Sequence, residues 1–466
     1  MDSGSLFQSL KKIVDPDRIL HQELERRLYS YDSSFLSTRQ KFCPDLVILP
    51  RSTAEVSGVM SFAFANHIPV TPRGAGSGAT CGCVPVKGGI VLDLSPWNKV
   101  EEVNVADMQA LVRPGVVHAR LNEHLQQFGM FFPPDPGSTR MCTLGGMVAN
   151  NSSGMRAAKY GATEQYVLGL EVVLPDGRVI TTGGQSCRSL KNASGLNLTK
   201  IFVGSEGTLG VITGIRIRIW PRPQARGIAM ACFDLLDRAP EAVLEVYRAG
   251  ILPSGIEILD HSAIAAINLY RPEINLPPVE AILLFEVDGN PASVEWEGRQ
   301  IAEIAKKHSA IVEWSTDPQR MGALWQGRSV VAAAAARLRP DGTRVFAGED
   351  ICVPLSRVSE ALKRIRELGR SHEIKVVAYG HIADGNIHTA LVINPGHPGE
   401  VARLDALVDE IHHLAVELHG TTTGEHGVGL VRSAYSSLEH GGALEEMKKI
   451  KSALDPRGIM NPGKIF

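Results

Sequence analysis

The sequence predicts an α+β protein with two or three domains. Its 466 residues are more than one compact core normally accommodates. Short apolar segments bounded by turn residues recur along the chain, and they do not alternate with helices as a regular βαβ protein would require. Pro221-Arg222-Pro223 follows a long alternating segment, and the two prolines favour a stiff, extended exit. We therefore place the main domain boundary there.

The part before this boundary is predicted to mix helices with many short strands. Residues 1–40 carry leucine and isoleucine at helical spacing, which predicts amphipathic helices. Residues 54–66 predict a further helix of the same kind. Strands are predicted at 45–50, 89–94, 110–112, 167–174 and 211–220.

The part after the boundary is predicted to form an antiparallel sheet covered by helices on one side. Helices are predicted at 239–249 and 293–307, and a strand is predicted at 281–287. Asp384-Gly385 lies between two apolar runs, which predicts a β-hairpin closed by a two-residue type I′ turn. The expected organisation is therefore 1–221, 222–430 and a C-terminal segment 431–466 that contains a helix at 444–454.

Composition excludes several classes of function. Lys and Arg (48) nearly balance Asp and Glu (50), so a nucleic-acid partner is not expected. The seven cysteines are odd in number and contain no C-x-x-C pair, which argues against a disulfide framework or an iron–sulfur cluster held by this chain. No apolar run approaches the ~20 residues of a membrane span. We expect a cytoplasmic protein, with peripheral attachment through partner subunits left open.

Three small-residue motifs within the first half predict a long phosphate-bearing ligand. Pro72-Arg73-Gly74-Ala75-Gly76-Ser77-Gly78 follows a predicted strand, and its alternate glycines allow successive backbone N–H groups to face one concavity. Similar motifs occupy 145–154 and 204–210. The dinucleotide fingerprint G-x-G-x-x-G is a poor match, because neither its spacing nor its ribose-binding acid is found.

Two histidines flank the predicted hairpin turn. A two-residue turn at Asp384-Gly385 would place His381 directly opposite His388, with Cβ atoms about 4.5–5.5 Å apart. Such a pair suits one shared metal ion. The loop Gly424-Glu425-His426-Gly427 adds a carboxylate and a second kind of histidine. The alternative, structural histidines, stays open, and we interpret His412 and His413 in that way.

These motifs together resemble a known family. The segments 72–78, 145–154, 204–213 and 461–464 are similar to FAD-binding oxidoreductases of the vanillyl-alcohol-oxidase, or PCMH, type. The segments 380–388 and 424–427 resemble the branch that contains D-lactate dehydrogenase, the glycolate oxidase flavin subunit and D-2-hydroxyglutarate dehydrogenase. The resemblance implies a two-part FAD-binding domain, a substrate (cap) domain and a C-terminal segment that returns to the FAD domain.

The resemblance also implies the cofactor and its ligands. Because no histidine lies in 72–82, the FAD is expected to be non-covalent, although Cys81 and Cys83 replace the glycines usual there. The residues expected to contact FAD are Pro72, Arg73, Gly74, Ala75, Gly76, Ser77, Gly78, Pro136, Gly137, Gly145, Gly146, Ala149, Ser152, Gly154, Tyr160, Gly161, Glu206, Gly210, Val211, Ile212 and Asn461.

Oxidation of a 2-hydroxy acid to a 2-oxo acid is the activity that the resemblance implies. His381, His388 and Glu425 match the family's divalent-metal ligands, with zinc or manganese expected. His426 matches its general base, and Arg328 matches an arginine that binds the substrate carboxylate.

The expected substrate is D-lactate or glycolate. The positions nearest to those that bind the second carboxylate in hydroxyglutarate enzymes are Ala332, Gly348 and Ala390, and none could pair a buried charge. An oxygen-using oxidase, a D-2-hydroxyglutarate dehydrogenase and an electron-transfer flavin subunit remain alternatives. The expected electron acceptor is an iron–sulfur subunit, an electron-transfer flavoprotein or a quinone, and formation of a homodimer stays open.

Overall fold

A computed structural model describes residues 3–308, 311–347 and 350–466. The chain divides into two compact units. Unit 1 comprises the part up to Ser153 together with Gly161–Arg222 and Glu425–Phe466, and unit 2 comprises Gly154–Tyr160 and Pro223–Gly424. The division after Arg222 lies within Pro221-Arg222-Pro223, whereas the chain re-enters unit 1 at Glu425 rather than at 431.

Unit 1 contains two principal sheets and is therefore a two-part α+β structure. The first has four strands, of which three are parallel and almost completely buried. Residues of the helices Ser3–Leu10 and Thr53–Ala65 pack in the same core cluster. In spatial order the strands are Ile19–Leu20, Leu46–Ile48, Ile90–Asp93 and Val70–Arg73.

The second sheet of unit 1 is antiparallel and has five strands. In spatial order they are Val100–Asn104, Gln109–Val112, Val211–Arg218, Val167–Val173 and Val179–Thr181. A two-stranded ribbon pairs Met130–Phe131 with Trp220–Pro221. The remaining helices of unit 1 are Glu23–Arg27, Phe35–Arg39, His118–Gln126, Leu144–Asn150, Leu198–Phe202, Ser436–His440 and Ala443–Leu454.

The N-terminal segment is less helical than its leucine spacing predicts. Three short helices are separated by turns and by the strand Ile19–Leu20, which pairs with Leu46–Ile48. Leu24 and Leu28 are 74% and 58% exposed. The prediction that residues 1–40 form amphipathic helices is therefore wrong after Leu20. The helix Glu23–Arg27 has only five residues, which is too short to form an apolar stripe. The residues just before it, Ile19–Leu20, form a strand instead.

Unit 2 is built on one eight-stranded sheet in which every pairing is antiparallel. In spatial order the strands are Ile311–Ser315, Ala225–Phe233, Ala281–Gly289, Gly255–Asp260, Lys375–His381, Asn386–Ile393 and Thr343–Val345, with Ile351–Cys352 also pairing with Asn386–Ile393. The helices of unit 2 are Ala157–Tyr160, Arg238–Arg248, His261–Tyr270, Pro291–His308, Pro318–Ser329, Val331–Ala335, Val358–Ser371 and Pro398–Glu417.

Helices cover this sheet on both faces, which corrects the one-sided arrangement expected from the sequence. Met230 and Val377 point to one face, where they join residues of the helices His261–Tyr270, Pro318–Ser329 and Val331–Ala335. The opposite face receives Pro291–His308, whose Gly298 lies against the same Trp314 ring as Gly227 of the sheet. The strands are buried on both faces, so their alternation is weak and does not reveal the second layer.

The predicted hairpin exists, but its register differs from the expected one. His381 pairs with Asn386 and Tyr379 pairs with His388, so four residues, Ile382–Gly385, form the connection. A two-residue type I′ turn at Asp384-Gly385 is therefore wrong, and of these two residues only Gly385 has positive φ (83°). His381 and His388 are diagonal neighbours on one face of the sheet rather than direct partners.

Candidate functional site

The three glycine motifs of unit 1 meet in space although they lie far apart in sequence. Gly74 lies against Thr143, the N-cap of the helix Leu144–Asn150. Gly207 of the third motif lies against Pro72 of the first. The backbone N–H of Glu206 donates to the carbonyl of Ala149 at 2.8 Å, which joins the third motif to the second. One ligand could therefore contact all three motifs.

The first motif presents a row of unpaired backbone amides. Among the described residues, the N–H groups of residues 74–78 find no hydrogen-bond acceptor. Gly76 has a φ of 68°, which turns the chain so that successive amides can face one concavity. A Cβ at Gly78 or Gly137 would meet nothing within 4 Å. This cradle fits the diphosphate of FAD, because unpaired amides and open space are what an anion nest offers.

Asn461 ties the C-terminal segment to this cradle. Its side-chain amide donates to the carbonyls of Gly82 and Glu206, both at 2.7 Å. Its Oδ1 atom is buried and has no hydrogen-bond partner among the described residues. Asn461 therefore keeps one acceptor available for a polar cofactor, as the position expected for it requires.

Glu206 supports the loop that carries Glu425 and His426. Its carboxylate accepts from the N–H groups of Val428 and Gly429, both at 2.7 Å. Burial raises the pKa of Glu206, although its hydrogen bonds with these two N–H groups act in the opposite direction. Gly427 has positive φ, and a Cβ there would lie 2.9 Å from the Glu206 carboxylate. Each carboxylate oxygen of Glu206 therefore accepts one backbone N–H of this loop.

Glu425 and His426 lie side by side in unit 1. The Glu425 carboxylate accepts from the Ser153 hydroxyl at 3.3 Å, and its other oxygen lies 3.7 Å from His426 Nε2. The His426 carbonyl accepts from the Asn150 side chain at 3.2 Å. With 31% of its side chain exposed, His426 is open enough to exchange protons.

The other residues expected at FAD divide into three groups. Pro136, Gly145, Gly146, Ala149, Ser152 and Gly161 lie in unit 1, where Gly145 packs on Pro114 and the Ser152 carbonyl accepts from Thr163. Gly210, Val211 and Ile212 are packed in or beside the strand Val211–Arg218. Gly154 and Tyr160 belong to unit 2, where the Tyr160 hydroxyl donates to Asp288 at 2.9 Å.

The cysteines near the first motif are poor nucleophiles. Cys81 is fully buried, and burial raises the pKa of its thiol to about 12. Burial also raises the pKa of Cys83. A thiol must ionise to attack an electrophile, so both side chains are inert at neutral pH.

In unit 2 the paired histidines occupy one face of the sheet beside its hairpin turn. The Nε2 atoms of His381 and His388 are 3.3 Å apart, and both side chains are nearly buried. Two nitrogens bound to one tetrahedral zinc at ~2.0–2.1 Å would lie about 3.3–3.4 Å apart. The donor set therefore fits a divalent metal ion, which would replace a proton shared between the two rings.

Buried carboxylates stand behind both rings. Glu257 is the cross-strand partner of His381, and its Oε1 atom lies 2.5 Å from His381 Nδ1. Asp350 precedes the short strand on the other side of the hairpin, and its Oδ1 atom lies 3.6 Å from His388 Nδ1. The Glu257 carboxylate can accept from Nδ1 of His381, which leaves the Nε2 lone pair of His381 available to a metal. Glu257 was not predicted as a site residue, although a charged residue inside the apolar strand Gly255–Asp260 is a usable signal.

Arg328 joins the same cluster from the helix Pro318–Ser329. Its Nε donates to the second oxygen of Glu257, and its guanidinium stacks on the Tyr379 ring at 4.7 Å from the centroid. Its two terminal nitrogens make no hydrogen bond to a described residue. Burial opposes ionisation of Glu257, but Arg328 and His381 outweigh it and hold the pKa of that carboxyl below its ordinary value.

Of the three positions that bear on a second carboxylate, two can be located. Ala390 is fully buried in the apolar cluster of the sheet, and Ala332 is half-buried in the helix Val331–Ala335. Gly348 lies outside the described residues.

No helix among the described residues combines the length and apolarity needed to cross a bilayer.

Two family models match successive parts of the chain. Residues 44–183 match the family model of the FAD binding domain, and residues 222–465 match that of FAD linked oxidases, C-terminal domain. The chain is 35% identical to glycolate oxidase subunit GlcD of Bacillus subtilis over 100% of its length and 97% of that protein. It is 34% identical to D-lactate dehydrogenase of Archaeoglobus fulgidus, over 90% of this chain and 91% of that one.

The fold also matches solved structures. p-Cresol methylhydroxylase with substrate bound has a TM-score of 0.81 at 15% identity, and the match covers 99% of this chain and 96% of that one. At that identity the likeness shows the fold alone, and it confirms the predicted PCMH-type architecture. The protein is thus an FAD-dependent oxidoreductase. It belongs to the family of FAD-linked oxidases, which confirms the resemblance found in its sequence.

Proposed function

We propose that the protein oxidises a D-2-hydroxy acid to the 2-oxo acid, with D-lactate or glycolate as the favoured substrate. The observation that carries the proposal is the pair of nearly buried imidazoles, His381 and His388, in a chain of the FAD-linked oxidase family. Two of its relatives that match over at least 90% of both chains are named for glycolate and D-lactate, and both are small 2-hydroxy acids.

The cofactor is proposed to be non-covalent FAD, held by residues 74–78 and Asn461. Bound FAD would accept the hydride from the substrate carbon. The protein contributes backbone amides to the diphosphate and the open Oδ1 of Asn461 to the polar part of the cofactor. The pKa of Cys81, raised to about 12 by burial, supports non-covalent attachment.

His381 and His388 are proposed to bind one divalent ion, zinc or manganese, together with Glu425. The 3.3 Å separation of the two Nε2 atoms supports the histidines. Glu425 is included as the third ligand because the sequence resemblance implies it. A bound cation would lower the pKa of the substrate hydroxyl and fix its oxygen atoms.

His426 is proposed to remove the hydroxyl proton, and Arg328 to bind the substrate carboxylate. Imidazole suits the first task because its ordinary pKa of about 6.5 lies near neutral pH. Arg328 suits the second because its Nε is held by Glu257 while its terminal nitrogens remain available. A small apolar surrounding, suggested by Ala332 and Ala390, favours a monocarboxylic acid. We propose that an acceptor protein or a quinone reoxidises the reduced flavin.

Anaerobic reduction of the purified flavoprotein tests the proposal. The flavin absorbance should bleach with D-lactate or glycolate, and more slowly or not at all with L-lactate and D-2-hydroxyglutarate. Dithionite serves as the control that the flavin is reducible. A protein that dithionite bleaches but no hydroxy acid bleaches would refute the proposed activity.

A further inference from the structure

We infer that Glu257 is a positioning residue that fixes His381 and Arg328 at the same time, so that metal binding and recognition of the substrate carboxylate depend on one buried side chain. Glu257 is completely buried, and each of its oxygens has one partner: Oε1 the ring nitrogen Nδ1 of His381, Oε2 the Nε of Arg328. The inference rests on the proposed metal site and on the proposed role of Arg328.

The backbone holds Glu257 in this place. Glu257 and His381 are direct partners on adjacent antiparallel strands, so their side chains leave the sheet on the same face. The helix Pro318–Ser329 brings Arg328 onto that face, where its guanidinium stacks on Tyr379. The pairing joins residues 124 positions apart in the sequence.

The chemistry of the two contacts determines the protons of His381. Arg328 cannot lose a proton in a protein, so its Nε must donate. An ionised carboxylate only accepts, so His381 Nδ1 must donate as well. The lone pair of His381 is then at Nε2, the atom that faces His388. Glu257 therefore selects the tautomer that can bind a metal.

Glu257→Gln breaks this selection without removing volume. The glutamine oxygen would accept from Arg328, because the opposite orientation would leave a buried guanidinium N–H facing an amide N–H. The glutamine N–H₂ would then face His381 Nδ1, which must become an acceptor. The His381 proton would move to Nε2 and block the metal-binding lone pair. Glu257→Asp keeps two accepting oxygens and changes only their reach.

The test measures metal affinity with Zn²⁺ and Mn²⁺ as probes, in competition with a chelator of known affinity. Glu257→Gln should bind metal about 10–100-fold more weakly than the parent, and Glu257→Asp should lie closer to the parent. FAD content should stay unchanged in both, since the FAD cradle is in unit 1. Equal losses in the two variants would mean a packing role and would overturn the inference.

Asp260→Asn is the matched control. Asp260 is buried on the same strand as Glu257, but its carboxylate caps the helix His261–Tyr270 by accepting from the N–H of Ala263. Asp260→Asn should bind Zn²⁺ and Mn²⁺ with the parental affinity, even where the loss of the helix cap lowers its melting temperature. A loss of metal equal to that of Glu257→Gln would overturn the inference.

Arg328→Lys separates the two contacts of Glu257. It removes the planar fork but keeps a cation beside Glu257, so metal affinity should be unchanged while KM for the hydroxy acid rises. In Glu257→Gln both quantities should change. If the parent binds neither metal, the proposed metal site fails together with this inference. If Glu257→Gln binds metal as the parent does, only this inference fails.

Discussion

The side-chain amide of Asn461 donates to the carbonyl of Glu206 across 255 positions of sequence, and also to the carbonyl of Gly82. Asn461→Ala should therefore loosen the C-terminal closure of the FAD cradle and leave two carbonyls unpaired. Such losses cost about 1–3 kcal/mol each, so the dissociation constant of FAD should rise about tenfold or more. Equilibrium dialysis monitored by flavin fluorescence would measure it.

Asn122→Ala is the control for Asn461. Asn122 also bridges two backbone groups of unit 1, the N–H and the carbonyl of Phe132, but it does not contact the cradle. It should reduce thermal stability and retain FAD with parental affinity. Equal loss of FAD from both variants would contradict a specific role for Asn461.

Gly76→Val should abolish FAD retention. Gly76 has a φ of 68°, and a Cβ there would collide with the Arg73 guanidinium. Gly129→Val provides a comparison at nearly the same φ, 66°, with nothing within 4 Å of its Cβ. Both carry the strain of a β-branched residue at positive φ, about 1–3 kcal/mol. Only Gly76→Val should be purified colourless, and a yellow Gly76→Val protein would disprove the diphosphate cradle.

His388→Ala should lose the divalent metal and keep its FAD. The imidazole supplies one of two converging nitrogens, whereas the cradle amides are unaffected. His413→Ala, on the exposed side of the helix Pro398–Glu417, should keep both. Elemental analysis of the three proteins decides the matter: unchanged metal content in His388→Ala would reject the site.

His426→Ala should reduce its flavin about 10²–10⁴-fold more slowly, the usual contribution of a positioned acid–base group. FAD and metal should both remain bound. His124→Ala, an exposed histidine of unit 1, should react at the parental rate. Stopped-flow anaerobic reduction provides the comparison, and a parental rate in His426→Ala would place the base elsewhere.

Glu400 links part of the stability of unit 2 to pH. Its hydrogen bond with Arg339 and the N–H of Asn394 lower the pKa of Glu400 from 4.5 to about 2. Because the folded-state pKa is lower than the unfolded one, this stabilisation is present above pH 4.5 and disappears as the pH falls toward 2. Glu400→Gln should melt below the parent at pH 7, and the difference should shrink across that interval.

Glu446→Gln is the control for this pH effect. The pair Glu446–Lys449 is 68% and 71% exposed, and ion pairs of that kind contribute little. Its melting temperature should follow that of the parent throughout. A Glu400→Gln difference that persists unchanged to pH 2 would contradict the linkage.

The glycine motifs and the hairpin were predictable because their signals are local. Alternate glycines and an Asp-Gly pair specify what the backbone can do within a few residues. The hairpin register was not predictable. Gly385 packs against Val353, where a Cβ would meet the carbonyl at 1.9 Å, and the Val353 N–H donates to Gly385. This tertiary contact favours a four-residue connection over the tighter turn.

The carboxylates behind the histidines were missed for a related reason. Glu257 precedes His381 by 124 residues, and only the order of strands in the sheet makes them neighbours. The same holds for the second helical layer of unit 2, since strands buried on both faces show no alternation that would reveal it. Pairing between distant strands leaves no mark in a single sequence.

The discontinuity of unit 1 reverses the order in which the protein can mature on the ribosome. The strand Val70–Arg73 is bridged through Val70 to Met460, so the first sheet of unit 1 lacks this neighbour until Met460 has been synthesised. Unit 2 ends at Gly424 and is fully synthesised earlier. The nascent chain can thus complete its second unit before its first, and the flavin cradle is complete only after Met460 and Asn461 have been synthesised.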